Sequence, residues 1–327
     1  SLQLGLLVET ELGKLPGVNV EQLVADITEP LEPEHFEAAW QRAVDELDAL
    51  RMSLRAGEHG QIEACFEPKA EIRCRTLDWS KNTAEEREEL FTHHLEGDRK
   101  QGVRLEQAPA KRVRCLLLGP SHWRLLWTFH QSLLDAPSSG LVLTRVFEVY
   151  EALKSGQPVP ARTVPSYREH LEWLSNEDHD RGRAFFSTAL VGFTEPTPLP
   201  FELRNRSLQP TIAGQVRASL SAEQTEQLRA FAKERGVSLK AIAEFCWGLL
   251  LSRHCGELDV VFGTTWSGRE GTSLKGEPMV GFTTNTTPLR LTLTRGERVH
   301  EALVRMHSQL STVREFMHTP LAQIHSN

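Results

Sequence analysis

The residues of this chain best suited to chemistry stand together at His130, Gln131 and Asp135, within Trp127-Thr-Phe-His-Gln-Ser-Leu-Leu-Asp-Ala-Pro-Ser-Ser-Gly140. Histidine and aspartate are the side chains of acid–base work. Polar, titratable residues set directly after a buried strand and beside a helix entry are where folds display such groups. The same spacing also fits a strand-to-helix turn with a capping aspartate and one satisfied histidine. A second cluster, His93-His94-Leu-Glu-Gly-Asp98, has the spacing of a two-histidine, one-aspartate site. It sits inside a charged helical stretch interrupted by Gly97, so we read it as a surface coincidence and expect no metal.

The elements that must position the first cluster are legible from periodicity. Leu125-Leu126-Trp127 begins a buried strand, and residues 111–118 and 122–129 form a hairpin around Gly119-Pro120-Ser121. Ser138 to Leu153 is then a helix burying Leu141, Val142, Val146, Val149, Tyr150 and Leu153. Before these, residues 18–28 alternate as a half-buried strand. Pro33 opens a helix with Phe36, Trp40, Val44 and Leu47 on one face. Residues 50–55 and 61–66 are short strands joined by Gly57-Glu-His-Gly60, and 72–78 is extended. Residues 83–100 form an acidic-then-basic helix that suits its macrodipole.

The proline-rich stretch 157–165 reads as the lobe boundary, and helices are expected after it at 166–176 and 178–190. A strand follows at 215–220. A helix from Ser221 to Arg235 starts as a capping box and is stopped by Gly236. Further on come a helix from Ser238 to about Arg253 offering Ile242, Phe245, Leu249 and Leu250 for burial, a strand at 257–265, a turn and strand at 278–293, and a helix at 297–316. This order permits two similar mixed α/β lobes, residues 1–160 and 161–327.

The bulk properties limit the function classes. A chain of 327 residues exceeds one ordinary core. A net charge of −7, spread without a basic block, argues against nucleic acid as the main ligand. Five cysteines without a CxxC pair point to reduced thiols, a cytoplasmic setting, and neither a disulfide framework nor a zinc site. No apolar run has membrane-spanning length. The start has no basic region and is not a signal peptide. The absent initiator Met and the abrupt end at His325-Ser-Asn suggest a piece of a longer polypeptide.

Five ordered segments resemble the condensation domains of nonribosomal peptide synthetases. Val20-Glu-Gln-Leu, Phe36 to Val44 and Leu50-Arg51 are similar to that family's opening. Phe129-His-Gln-Ser-Leu-Leu-Asp-Ala136 falls where the family has two adjacent histidines, three spacers, aspartate and glycine. Val261-Phe-Gly-Thr-Thr-Trp-Ser-Gly-Arg269 resembles the segment flooring the active-site channel; Trp266 and Ser267 in it, and Gly281 in the motif that follows, are candidate channel residues. Met279 to Arg290 resembles the glycine, asparagine, proline-leucine-arginine motif, and His318-Thr-Pro-Leu321 a later landmark.

The resemblance implies two chloramphenicol-acetyltransferase-like lobes in a V, the second one incomplete. It implies carrier-protein partners and neighbouring synthetase domains. It implies no bound cofactor, the substrates arriving on the carriers' phosphopantetheine. His130 and Asp135 would be structural, Asp135 pairing with Arg269 to hold the motif turn, and Asn285 would line the channel. Arg269 as a solvated loop residue and Asn285 as a turn former are the ordinary alternatives.

Two departures bear on activity. Gln131 stands where the family has its catalytic histidine, and a carboxamide can orient or donate but cannot shuttle a proton near neutrality. Ala136 replaces a glycine, removing easy access to positive φ. The second departure is length, since the family continues past His318-Thr-Pro-Leu. Three readings follow: an impaired amide-forming enzyme, a silent docking platform for a carrier protein or tailoring enzyme, or a domain in which Gln131 was introduced deliberately. A coenzyme A-dependent acyltransferase is the further alternative.

Overall fold

The computed structural model describes residues 2–12, 17–56, 62–109, 111–199, 216–269 and 278–324. They fall into two compact units, Ser1–Glu177 with Ser267–Thr284, and Asp178–Trp266 with Asn285–Asn327. No described helix is long and apolar enough to cross a membrane.

The first unit is built on a four-stranded sheet of β1 (Val20–Ile27), β4 (Cys74–Asp78), β5 (Lys111–Gly119) and β6 (His122–His130), in the order β1-β6-β5-β4. β6 pairs antiparallel with both β1 and β5, and β4 runs parallel to β5. Residues 125–130 of β6 are all buried, and the strand is enclosed by partners on both edges. Its Trp123, Leu125, Trp127 and Phe129 belong to the main core with Phe36, Trp40 and Val44 of α2 (Pro33–Glu46). The Trp127 ring lies 5.1 Å from that of Trp40 in edge contact. A buried tryptophan of this kind removes on the order of 200 Å² from water, about 5 kcal/mol gross. α4 (Ala136–Lys154) packs beside α2, buries Val142, Val146 and Val149, and locks Arg145 onto Glu46. A hairpin of β2 (Met52–Ala56) and β3 (Ile62–Phe66) completes the unit; its turn at 57–60 lies outside the described residues.

The other face of the sheet is covered by α3 (Ala84–Gln101), whose Thr83–Glu86 capping box fixes its start. Here the surface reading of His93, His94 and Asp98 is corrected. The helix runs on through Gly97, and the Asp98 side chain is fully covered rather than solvated. Its carboxylate accepts from Arg112 Nε at 2.9 Å, Gln22 Nε2 at 3.0 Å, Thr128 Oγ1 at 2.5 Å, and Arg114. Gln22, Thr128 and Arg112 are cross-strand neighbours on β1, β6 and β5, so one carboxylate satisfies a polar row under the helix. His93 is exposed, and the His94 ring lies 5.8 Å from that of Trp79. Among the described residues no group of histidine, cysteine and carboxylate side chains is placed to hold a metal.

The first unit extends to Glu177 instead of ending at residue 160, because the proline-rich stretch is strapped down. Arg145 donates to the Pro160 carbonyl at 2.8 Å, and Arg162 pairs with Glu148 at 3.0 Å. Asp48 caps α5 (Tyr167–Ser175), accepting from Ser166 Oγ, Tyr167 N and Arg168 N. Tyr167 is fully buried in the first core.

The second unit holds α6 (His179–Ala189), α7 (Ala222–Arg235), α8 (Leu239–Cys255), the antiparallel pair β7 (Asp259–Trp266) and β8 (Asn285–Thr292), α9 (Val299–Arg314) and α10 (Leu321–Ile324). Its core joins Phe245, Phe262, Leu289, Leu291, Leu303, Met306 and Leu310. Residues 216–220, read as a strand, are exposed coil with no ladder partner among the described residues, and Gln215 lies outside them. The first described element, α1 (Leu2–Leu12), has no counterpart in the sequence reading and belongs to the first unit.

Candidate active site

β6 ends at His130, and residues 131–133 turn the chain toward α4. The turn is closed by Leu133 N–H donating to the His130 carbonyl at 3.0 Å, while Gln131 N–H donates to the Asn19 carbonyl at 2.8 Å. His130 is 1% exposed. Its Nε2 meets Thr10 Oγ1 at 2.9 Å, and its Nδ1 meets Ser132 Oγ at 2.7 Å and Ser132 N at 3.1 Å. Burial pulls its pKa down to about 4, so the ring is neutral near pH 7. Gln131 is half-buried, and its carboxamide makes no hydrogen bond among the described residues.

Asp135 caps α4, accepting from Ser138 N at 3.1 Å and Ser138 Oγ at 2.7 Å. The Arg269 guanidinium meets it as a fork, Nη1 to Oδ2 at 2.8 Å and Nη2 to Oδ1 at 2.7 Å. Thr283 adds its backbone N–H at 3.2 Å and its hydroxyl at 2.9 Å. Burial pushes this carboxyl's pKa up, but Arg269, Ser138 and Thr283 outweigh it and hold the group below the ordinary aspartate value. Asp135 is thus an ionised tie between the start of α4 and the returning segment 267–284 and is spent as an acceptor. It has no proton to give near neutrality.

Two glycines let that segment approach. Gly268 has φ +68°, and a Cβ there would run into the Thr283 carbonyl oxygen. Gly281 has φ +155°, and a Cβ there would overlap the Tyr167 ring. The Tyr167 hydroxyl donates to the Phe282 carbonyl at 2.7 Å. Gly281 therefore serves close packing under Tyr167. Ser267 is exposed, its carbonyl accepting from Thr283 Oγ1 at 2.6 Å. Ala136 begins α4, is exposed, and is helical. The lost glycine costs this turn nothing, because no left-handed backbone is required at that position.

Trp266 and Asn285 belong to the second unit, where they pair across β7 and β8. The Trp266 indole is buried, its N–H donating to Thr287 Oγ1 at 2.8 Å, with Lys240 Nζ 4.7 Å above the ring. Asn285 Nδ2 donates to the carbonyls of Met317 at 2.7 Å and Thr319 at 2.9 Å. Asn285 is neither a turn residue nor idle; it ties the loop that follows α9 to β8.

The structure thus gathers His130, Gln131, Asp135, Ala136, Ser267, Arg269 and Gly281 in one unit and gives Trp266 and Asn285 structural partners in the other. Sequence reasoning missed Thr10, Asn19, Ser132, Ser138, Tyr167 and Thr283. Of these only Ser138 carried a local signal, as the third residue after a capping aspartate.

Comparison with known proteins gives the family of the chain. The model of the condensation domain family matches residues 1–327. The chain is similar to a linear gramicidin synthase protein of Brevibacillus parabrevis, 32% identical over 325 residues, 99% of this chain and 6% of that protein. It is similar to chondramide synthase cmdD of Chondromyces crocatus, 32% identical over 313 residues, 94% of this chain and 8% of that protein. The chain therefore spans only a small fraction of the length of these relatives. Among solved structures, the first condensation domain of the calcium-dependent antibiotic synthetase, bound to a substrate analogue, superposes with TM-score 0.76 at 22% identity, covering 98% of this chain and 75% of that one. A variant of the starter condensation domain of rhizomide synthetase, complexed with C8-CoA and Leu-SNAC, gives TM-score 0.78 at 22% identity, covering 98% and 71%. By sequence and by the mixed α/β fold those neighbours share, this chain belongs to the condensation domain family.

Proposed function

We propose that this domain works within a nonribosomal peptide synthetase, joining a carrier-bound acyl or peptidyl thioester to a carrier-bound amine, at a rate limited by Gln131. Both substrates would arrive on the phosphopantetheine arms of carrier proteins, so the domain itself would hold no cofactor. The five free thiols suit a cytoplasmic setting.

The observation that carries the reading is the state of the motif turn. Gln131 has a half-buried carboxamide tied to nothing among the described residues, beside a histidine that is neutral and occupied at both nitrogens. In the reaction the amine nitrogen attacks the thioester carbon, the C–N bond forms, the C–S bond breaks, the nitrogen sheds a proton and the thiolate gains one. Gln131 can hold the amine or the carbonyl oxygen by a hydrogen bond, but it cannot take that proton. The amine must then enter as the free base. Confinement of two oriented reactants supplies roughly 7 kcal/mol or more, while a missing general base forfeits about 10²–10⁴ in rate.

The test loads donor and acceptor carriers and follows condensed product with the Gln131 chain and with Gln131→His. The expected outcome is slow product from the Gln131 chain and a gain of about 10²-fold or more with histidine. For the Gln131 chain the rate should rise nearly tenfold per pH unit up to the amine's own pKa, about 8 for an α-amino group. Product at a rate that histidine does not raise would overturn the assigned role of Gln131. The competing platform reading, docking a carrier or tailoring enzyme without chemistry, rests on the same residue and wins if neither chain makes product while a loaded carrier still binds.

A further inference from the structure

His130, Gln131 and Ser132 are each held by residues that precede β1. Gln3 Nε2 donates to the Ser132 carbonyl at 2.7 Å. The Asn19 carbonyl accepts from Gln131 N–H at 2.8 Å. Thr10 Oγ1 meets His130 Nε2 at 2.9 Å. Asn19 is the only non-glycine among the described residues with positive φ, +57°, a conformation asparagine tolerates better than other side chains. Its Nδ2 donates to the Leu6 carbonyl at 2.9 Å and to Thr10 Oγ1 at 3.1 Å.

A proton count then fixes the state of His130. The Thr10 hydroxyl has one proton and donates it to the Leu6 carbonyl at 2.8 Å. Toward His130 it can only accept, so Nε2 must carry hydrogen. On the other side, the Ser132 backbone N–H can only donate, so Nδ1 must be bare. Both nitrogens of the ring are committed, and the ring is the neutral Nε2–H form.

We infer that Thr10 and Asn19 are positioning residues of the motif, Thr10 fixing the tautomer of His130 and Asn19 fixing the backbone from which residue 131 projects. An imidazole held in this way cannot step in as the absent base, which deepens the proposed function and, for its kinetic arm, rests on it. It also means that a base installed at position 131 depends on Gln3, Thr10 and Asn19 for its aim.

Two measurements on the full chain test this. In the first, 15N-histidine spectra at pH 7, assigned by difference against His130→Gln, should show His130 with a protonated Nε2 and a bare Nδ1. That pattern should persist in Thr10→Ser, and the Nε2 proton should become fast-exchanging in Thr10→Val, with the thermal midpoint of each variant recorded alongside. In the second, Thr10→Val in the Gln131→His background should lower kcat about tenfold, the worth of one hydrogen bond lost from a positioned group, with KM little changed and Thr10→Ser restoring it. An Nδ1–H ring, an imidazolium at pH 7, or a Thr10→Val chain with unchanged spectrum would overturn the inference. A Gln131→His chain that makes no product would sink the proposed function alone, since the spectra decide the inference without turnover.

Discussion

Arg269→Met is the sharpest test of how the motif turn is held. In the native chain the Asp135 carboxylate takes two charge-assisted bonds from Arg269 and further bonds from the backbone and hydroxyl groups of Ser138 and Thr283. The Asp135 side chain is 3% exposed and that of Arg269 18%, so water compensates little when the guanidinium goes. Removing one partner of a buried pair costs about 3–5 kcal/mol. The donors that remain on Asp135 place this case near the lower end, about 3 kcal/mol, against a total of ~5–15 kcal/mol for a typical protein. Asp135→Asn should cost a similar amount, and the double variant clearly less than the sum, with a coupling of about 2 kcal/mol. Denaturant unfolding would report the loss, and hydrogen exchange at the amides of Ser138 and Thr283 would place it in the motif turn. A cost below about 1 kcal/mol, the worth of an exposed pair, or strictly additive singles would refute the assignment of this pair as the turn's anchor.

Other outcomes follow from the same geometry. Gly281→Ala should destabilise the first unit by about 1–3 kcal/mol or more through overpacking against Tyr167, whereas Ala136→Gly should cost about 1 kcal/mol or less; thermal midpoints of the pair give the comparison. Asn285→Ala strips two buried carbonyls of their donor and should cost about 2 kcal/mol, seen as faster exchange around residues 317–319. His130 has its folded pKa depressed to about 4 from 6.5. The unfolded chain therefore binds more protons between those values, and stability should fall by up to about 1.4 kcal/mol per pH unit as pH drops from 6.5 toward 4, a slope absent in His130→Gln. For Asp98, burial raises the pKa but the bonds from Arg112, Thr128 and Arg114 win and lower it. Its contribution is complete above the unfolded value near 4 and is lost as pH falls through the depressed one, so Asp98→Asn should be less stable at pH 7 and flatter in acid.

Much of this organisation can be read along the chain, and the failures share a cause. The hairpin β5–β6, the amphipathic α2 and the capped α7 are local patterns, and local patterns survive folding. α4 begins at Ala136 rather than Ser138 because Asp135 is the cap and Pro137 sits in the first turn, where its missing N–H costs nothing. Asp98 misleads because a charged helix looks solvated until the polar row Gln22, Thr128 and Arg112 is seen beneath it. The bond between Asp135 and Arg269 joins residues 134 positions apart and is foreshadowed by family resemblance, not by spacing. Nothing local announces that Thr10 and Asn19 reach the motif, for their partners lie more than a hundred residues away.

The excursion of residues 267–284 has a practical consequence for anyone recombining such domains. Because this segment sits in the first unit while both of its flanks belong to the second, the chain is interleaved and has no single splice point between its halves. A graft ending at Glu177 would carry Asp135 without its guanidinium, and a graft of the remainder would carry an arginine with nothing to clasp. A working chimera must move residues 1–177 and 267–284 as one inheritance, through three junctions instead of one.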